Sequence, residues 1–232
     1  MRLLGKRAIV TGASSGIGAA VAKALAAEGA SAIGWARRFA PAEDRARPPL
    51  PAAGAVAAWG VDVTDEDQVK AGFAAAGDVD LVVCAAGVSH FGPLHTASVG
   101  ELRAMLESHV VGTFLCAREA LRSMQPRRRG HIVAISSVAA QEAFPDCAGY
   151  TAAKIGQLGL MRVLAAEARA YDIRATTLLV GATDTPIWDD RPGFDRSKMM
   201  RPEDVAGFLV AIVARPGIAV EEVAVTPPGG AL

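Results

Sequence analysis

The sequence has few cysteines, few aromatic residues and no excess of charge of either sign, and each shortage argues against a class of protein. The three cysteines, Cys84, Cys116 and Cys147, form no C-x-x-C pair, so we expect neither disulfides nor a metal site. The 24 basic residues balance 24 acidic ones, which argues against a nucleic-acid partner. No signal segment leads the chain and no apolar run reaches about 18 residues, so we expect a cytoplasmic protein without a membrane partner.

Apolar residues make up 51% of the 232 positions, enough for a single large core, and we predict one domain over residues 1–232. Short apolar runs alternate with segments of helix length, which is typical of parallel strands joined by helical crossovers. We therefore predict an α/β fold of the Rossmann type, a doubly wound parallel sheet of about seven strands with helices on both faces. The predicted strands are 8–10, 32–35, 55–61, 81–85, 131–136, 173–180 and 222–225.

A glycine-rich turn, TGASSGIG at residues 11–18, follows the first predicted strand and precedes a predicted helix at 19–27. Gly12 can adopt backbone angles closed to other residues, Gly16 lets phosphates approach the chain, and Gly18 permits close helix packing. Because a helix amino terminus offers unpaired N–H groups, this turn suits a dinucleotide pyrophosphate. A purely structural loop is the alternative interpretation of the turn alone.

Tyr150 and Lys154 are four residues apart, and Ser137 lies thirteen residues before Tyr150. Positions i and i+4 of a helix share one face. A phenol titrates near pH ~10, and a neighbouring cation lowers that pKa towards the range useful for acid-base catalysis. Taken alone, this spacing more often reflects a half-buried tyrosine beside a solvated lysine.

Six motifs appear in a fixed order along the chain: TGASSGIG at 11–18, DV at 62–63, CAAG at 84–87, ISS at 135–137, YTAAK at 150–154 and GATDTP at 181–186. With them the chain resembles the short-chain dehydrogenase/reductase family over nearly its whole length. The resemblance implies an oxidoreductase that transfers a hydride between a nicotinamide cofactor and a carbonyl or secondary alcohol, and we expect a carbonyl or ketoacyl-type reductase.

In the mechanism that the resemblance implies, Tyr150 delivers the proton and Ser137 hydrogen-bonds the carbonyl oxygen. Lys154 holds the nicotinamide ribose and depresses the tyrosine pKa. Ser136 is the neighbouring candidate, but side chains alternate along a strand and the interval to Tyr150 selects Ser137.

The choice of cofactor depends on the end of the second strand, where NAD-binding relatives place a carboxylate. Here the sequence has Ala36 followed by Arg37 and Arg38. Guanidinium groups can donate paired hydrogen bonds to a phosphate, such as the 2′-phosphate of NADP. We therefore predict NADP(H) in preference to NAD(H). The alternative is two solvated arginines entering a basic loop that also contains Arg45 and Arg47.

Further cofactor contacts are implied by the resemblance. For Asp62 the alternative is a cap on the helix that begins near Asp65. For Thr183 and Thr185 the alternative is a plain turn before Pro186. The residues concerned are Ser14, Ser15, Ile17, Asp62, Val63, Ala85, Ala86, Gly87, Gly181, Thr183 and Thr185.

Among the positions that depart from the family pattern, two replace an asparagine. Cys84 stands where the family usually has asparagine. His109 also replaces an asparagine, one that helps bind a water in a proton relay from the lysine. Imidazole titrates near pH ~6.5, so a relay through His109 would have a different pH dependence. A packing residue is the alternative reading of His109.

Residues 187–200 contain Trp188, Phe194, Met199 and Met200. They predict a mobile loop that covers the substrate, although these side chains could instead pack against the domain.

Helices at 99–124 and 151–170 carry small residues, and related proteins pair such helices in a homodimer or homotetramer. Packing within one subunit is the alternative. A non-catalytic NADP(H)-binding sensor on the same fold is the second functional hypothesis.

Overall fold

The computed structural model describes residues 1–39, 49–189, 191 and 193–230. Seven strands form one sheet in which all neighbours are parallel, in the order β3-β2-β1-β4-β5-β6-β7. The predicted Rossmann-type architecture is confirmed, with small changes at the strand ends. The strands are β1 (Arg7–Thr11), β2 (Ser31–Trp35), β3 (Val56–Trp59), β4 (Leu81–Cys84), β5 (Gly130–Ser137), β6 (Ile173–Val180) and β7 (Glu222–Val225).

Helices cover both faces of this sheet. They are α1 (Gly16–Ala27), α2 (Glu66–Ala76), α3 (Val99–Leu106), α4 (Gly112–Met124), α5 (Ala148–Ala168) and α6 (Pro202–Val213). Side chains that alternate along the strands point to opposite faces. Ile9 and Val82 pack towards α2, α4 and α5, whereas Val10 and Val83 pack towards α1 and α6.

Two helix predictions need correction. Helix α1 begins at Gly16 instead of residue 19, so the second half of the glycine-rich run forms the first helical turn. The helix predicted over 99–124 is interrupted by a π turn at Glu107–Val111. A π turn holds an extra residue and commonly occurs at functional sites.

Strand order reverses between β1 and β4, because the chain winds outwards in both directions from this pair. In open α/β sheets the crevice at the carboxyl ends of such strands is the usual ligand site. Thr11 joins the two ends here, since its buried hydroxyl accepts hydrogen bonds of 3.0 Å from the N–H groups of Ala85 and Ala86. Among the helices of the described residues, none combines the length and the apolar character needed to cross a bilayer.

Candidate active site

A cavity of about 1550 Å³ opens at the carboxyl ends of the central strands. Every residue that the sequence singled out for catalysis or cofactor binding lines it, so the structure brings the whole predicted set together. These residues are Gly12, Ser14, Ser15, Gly16, Ile17, Gly18, Arg37, Arg38, Asp62, Val63, Ala85, Ala86, Gly87, His109, Ser137, Tyr150, Lys154, Gly181, Thr183 and Thr185.

Ser137 and Tyr150 line the same cavity, and the Ser137 hydroxyl acts to lower the pKa of the phenol. Ser137 ends β5, and its hydroxyl also accepts a 3.1 Å hydrogen bond from the N–H of Ala139, which fixes the side chain. Tyr150 and Lys154 share one face of α5, as their spacing predicts, and the Lys154 ammonium lies 5.5 Å from the centre of the phenol ring. Ser136 is buried, and its hydroxyl has no hydrogen-bond partner among the described residues.

Two buried groups hold the Lys154 ammonium in place. Its ammonium donates to the carbonyl of Ile135 at 3.0 Å and to Oε1 of Gln157 at 3.3 Å. Gln157, fully buried, in turn donates to the hydroxyl of Thr113 at 2.9 Å. Sequence reasoning missed Gln157, although its position three residues after Lys154 on the same helix face was an available signal.

Burial governs the pKa values of the tyrosine and the lysine. It lowers the pKa of Lys154 to about 7 and raises that of the half-buried Tyr150 to about 12, although the Ser137 hydroxyl opposes the second shift. The expected lowering of the tyrosine pKa by Lys154 is therefore corrected. Burial penalises the charged form of each group, and Lys154 directs its N–H groups at Ile135 and Gln157. Tyr150 is consequently protonated at neutral pH and can act as an acid.

His109 projects from the π turn and is buried between Tyr150 and Gly87. Its Nε2 lies 2.8 Å from the carbonyl oxygen of Val88, so this nitrogen carries the proton and Nδ1 holds the lone pair. Nδ1 has no hydrogen-bond partner within the described part of the chain. Burial, reinforced by the charge of Lys154, lowers the pKa of His109 to about 3. The expectation that His109 titrates near pH 6.5 is thus wrong, because its imidazole is neutral throughout the physiological range.

The glycine-rich turn forms a tight cradle. Gly12 has a φ of +66°, and a Cβ there would lie 2.7 Å from the carbonyl oxygen of Ala85; a Cβ at Gly18 would lie 2.4 Å from the oxygen of Gly12. Ser15 precedes α1 and makes no capping hydrogen bond through its side chain with any described residue. The first N–H groups of α1 are therefore available to an anion, and the turn fits the pyrophosphate of a dinucleotide.

Arg37 and Arg38 follow β2 at the rim of the cavity, where both are exposed. Across the described ranges, neither guanidinium forms an ion pair with a carboxylate, which leaves both able to meet a phosphate. Arg45 and Arg47, the other members of the predicted basic loop, lie outside the described residues.

Asp62 lies in the cavity wall and does not cap α2, so the capping alternative is wrong. Asp65 is the cap, because its side chain accepts hydrogen bonds from the N–H groups of Asp67 and Gln68 at 3.0 Å. One carboxylate oxygen of Asp62 accepts from the N–H and hydroxyl of Thr64.

Cys84 is buried at the end of β4, in the same hydrophobic core cluster as Cys116. All three cysteines are free thiols. The described residues contain no cluster of three or more histidine, cysteine or acidic side chains able to hold a metal.

The two threonines of the GATDTP segment differ in position. Thr183 is buried and donates its hydroxyl to the carbonyl of Gly181 at 3.1 Å. The side chain of Thr185 lies against the glycine-rich turn, since a Cβ added at Gly16 would be 3.1 Å from its methyl group. Thr185 is thus placed beside the phosphate cradle, and Thr183 stabilises the turn that carries it.

Residues Ile187, Trp188, Arg191 and Phe194 line the cavity, as expected of a covering segment. The Trp188 indole donates to the carbonyl of Thr183 at 2.9 Å. The end of the predicted loop differs: Met199 is buried in the domain and Met200 pairs with Thr183, so these two residues do not cover the cavity. Asp190, also within the predicted loop, lies outside the described residues.

The family model described as short chain dehydrogenase matches residues 6–193. The chain is 35% identical over 222 residues to cis-4-hydroxycyclohexanecarboxylate dehydrogenase of Sinomonas cyclohexanicum, a match that covers 89% of this chain and 88% of that protein. It is 34% identical to glycine betaine reductase ATRR of Emericella nidulans, where 97% of this chain spans only 19% of the relative. The structure of a metagenomic short-chain oxidoreductase in complex with NADP is similar, with a TM-score of 0.76, 32% identity and coverage of 97% of this chain and 98% of that one.

Proposed function

The chain belongs to the short-chain dehydrogenase/reductase family, and from that premise we propose that it is an NADP(H)-dependent enzyme that interconverts a carbonyl and a secondary alcohol. The observation that carries the proposal is the convergence of Ser137, Tyr150 and the buried Lys154 on one cavity, with the Lys154 ammonium 5.5 Å from the centre of the phenol ring. The relative from Sinomonas cyclohexanicum, named as the dehydrogenase of a hydroxylated carbocycle, supports chemistry at a secondary alcohol.

In the proposed reaction Tyr150 is the acid. Its pKa of about 12 keeps the phenol protonated at neutral pH, so it can donate a proton to a carbonyl oxygen as that oxygen gains negative charge. Ser137 would donate a second hydrogen bond to the same oxygen and hold it at the phenol. Lys154, whose pKa is lowered to about 7, would supply a proton close to the phenol ring. Its N–H groups would also hydrogen-bond the ribose hydroxyls of the bound cofactor. NADP(H), when bound, supplies or accepts the hydride at its nicotinamide.

The preference for NADP(H) rests on Arg37 and Arg38. Planar guanidinium groups bind phosphate through paired, charge-assisted hydrogen bonds, whereas a ribose hydroxyl gains little from them. Ala36, which precedes them, offers no carboxylate to a ribose. The similar metagenomic structure contains NADP, which supports this choice of cofactor.

The test of this function is NADPH oxidation by the purified protein against ketones, aldehydes, quinones, sugars and ketoacyl thioesters, with NADH and the Tyr150→Phe variant in parallel. We expect turnover of at least one class, lost in the variant. The second candidate is an NADP(H)-binding sensor, to which the replacements at Cys84 and His109 give some support. Tight NADPH binding with no turnover of any class would favour the sensor.

We also propose that the protein is cytoplasmic and assembles as a homodimer or homotetramer through α4 and α5. Apolar side chains stand exposed on these helices, namely Phe114 (44%), Ile155 (52%) and Val163 (56%). Pairing would remove them from water. Analytical ultracentrifugation of the wild type and of Ile155→Glu, which should shift the protein towards monomer, tests the assembly.

A further inference from the structure

A side chamber of about 430 Å³ adjoins the main cavity. Phe91, Asp146, Arg191 and Phe194 line both spaces, so the chamber is an extension of the candidate active site. Its lining includes the rings of Phe91 and Phe194, the guanidinium of Arg191 and the carboxylate of Asp146.

Aromatic rings hold the Arg191 guanidinium in place. Its carbon lies 3.7 Å from the ring centre of Phe91, 5.2 Å from that of Phe194 and 5.5 Å from that of Trp188. Stacking on aromatic faces fixes the plane of a guanidinium and leaves its N–H edge for hydrogen bonds. Phe91 also contacts Tyr150, with ring centres 5.4 Å apart. A single phenylalanine ring therefore separates the cation from the candidate proton donor.

The charge of Arg191 is not neutralised by its described neighbours. Within the described part of the chain, no carboxylate lies within 4.0 Å of its guanidinium. Burial raises the pKa of the Cys147 thiol, and the positive charge of Arg191 opposes that shift. The nearby Asp184 and Asp189 are both paired with Arg196. Asp146, in the chamber wall, is exposed to solvent.

We propose that Arg191 binds a carboxylate of the substrate, so that the enzyme acts on an alcohol or ketone that also carries a carboxylic acid. This inference rests on the proposed function and names the substrate class of the same site. The carboxylate would meet the guanidinium through charge-assisted hydrogen bonds, and the carbon skeleton would lie on Phe91 towards Tyr150. A half-buried cation rejects a neutral analogue because that analogue leaves it desolvated without a partner.

Binding is tested first, with cyclohexanecarboxylate and its methyl ester as probes, by calorimetry on the full chain saturated with NADPH. We expect the wild type to bind the acid at least about tenfold more tightly than the ester, and Arg191→Met to abolish this preference. Arg191→Lys should keep part of it. Asp146→Asn should tighten binding of the acid, because it removes the opposing carboxylate.

Arg103→Met is the matched control, since it removes an exposed arginine from α3 and should change neither affinity. Equal affinity of the wild type for acid and ester would overturn the proposal. So would a preference for the acid that survives in Arg191→Met.

Turnover separates this proposal from the proposed function. With 4-oxocyclohexanecarboxylate and 4-methylcyclohexanone as substrates, Arg191→Met should raise KM for the acid about tenfold or more relative to KM for the neutral ketone, and should leave kcat for the acid nearly unchanged. Turnover that depends on Tyr150 but not on Arg191 would refute the carboxylate site alone. Acid binding that depends on Arg191, with no ketone reduced, would refute the reductase and retain the anion site.

Discussion

The imidazole of His109 occupies the space that a side chain at Gly87 would need. A Cβ at Gly87 would lie 2.0 Å from Cε1 of His109 and 2.6 Å from its Nδ1. The same imidazole packs edge-on against Tyr150, with ring centres 5.6 Å apart. The glycine of the CAAG segment therefore sets where His109, and through it the phenol ring, can lie.

We predict that Gly87→Ala lowers the free energy of unfolding by about 1–3 kcal/mol, because the new methyl group must displace a buried ring. The loss should largely disappear in a His109→Ala background, where the ring is gone. Urea denaturation of the double-mutant cycle measures this coupling. Gly92→Ala is the control, since a Cβ there meets no described atom within 4 Å. Additive effects of the two substitutions would contradict the packing described.

Stability should fall in mild acid because two histidines are buried in the neutral form. The pKa of His109 and that of His131 are both lowered from 6.5 to about 3 by burial. As the pH falls, the unfolded protein therefore binds these two protons at a higher pH than the folded protein does. The contribution of the neutral histidines to the free energy of unfolding is thus fully present above pH 6.5 and is lost as the pH falls towards 3. Each histidine should contribute a slope of about 1.4 kcal/mol per pH unit in this window.

Urea denaturation between pH 4 and 7 tests this prediction. His131→Gln should reduce the slope by about half of the histidine contribution, and the same substitution at the exposed His95 should leave it unchanged. An unchanged slope in His131→Gln would show that this imidazole is not buried in its neutral form.

Tyr150→Phe and Ser137→Ala should each reduce turnover by about 10²–10⁴-fold, because one removes the proton and the other the group that orients the carbonyl. NADPH affinity, measured by fluorescence titration, should change little in Ser137→Ala. The exposed Tyr171 provides the control variant Tyr171→Phe, which should be fully active. Retention of activity by Tyr150→Phe would remove this residue from the chemistry.

Arg37→Asp should raise the Kd for NADPH by about tenfold or more and leave the Kd for NADH nearly unchanged, because only the former carries the extra phosphate. Arg122→Asp, at an exposed position on α4, controls for the change in net charge. Wild-type protein that binds NADPH and NADH equally well would contradict the predicted preference.

The sequence was informative where the relevant signal is local. Continuous apolar runs such as 81–83 and 132–135 predict strands buried on both faces, and the interval from Ser137 to Tyr150 brings the end of β5 to the start of α5. The π turn could not be predicted in this way, since one inserted residue hardly alters the apolar pattern of a helix. The pKa of Tyr150 was mispredicted because a nearby cation is visible in the sequence and burial is not.

Contacts between distant segments were likewise hidden. Phe91 and Arg191 are a hundred positions apart, and no local pattern indicates that one stacks on the other. The same applies to Thr11, whose hydroxyl joins β1 to β4. Sequence reasoning recognised the residues of the site by type and spacing, and the structure supplied the packing that sets their charge and orientation.

The pairing of β1 with β4 also has a consequence for how the protein folds. Thr11 and Ala85 are 74 positions apart, and parallel strands are joined by long crossover connections. Pairings of such sequence separation slow the folding of a chain, because loop-closure entropy is lost before the contact is gained. We therefore expect the ligand crevice between these strands to form late in folding, and no short fragment of the chain contains both of its sides.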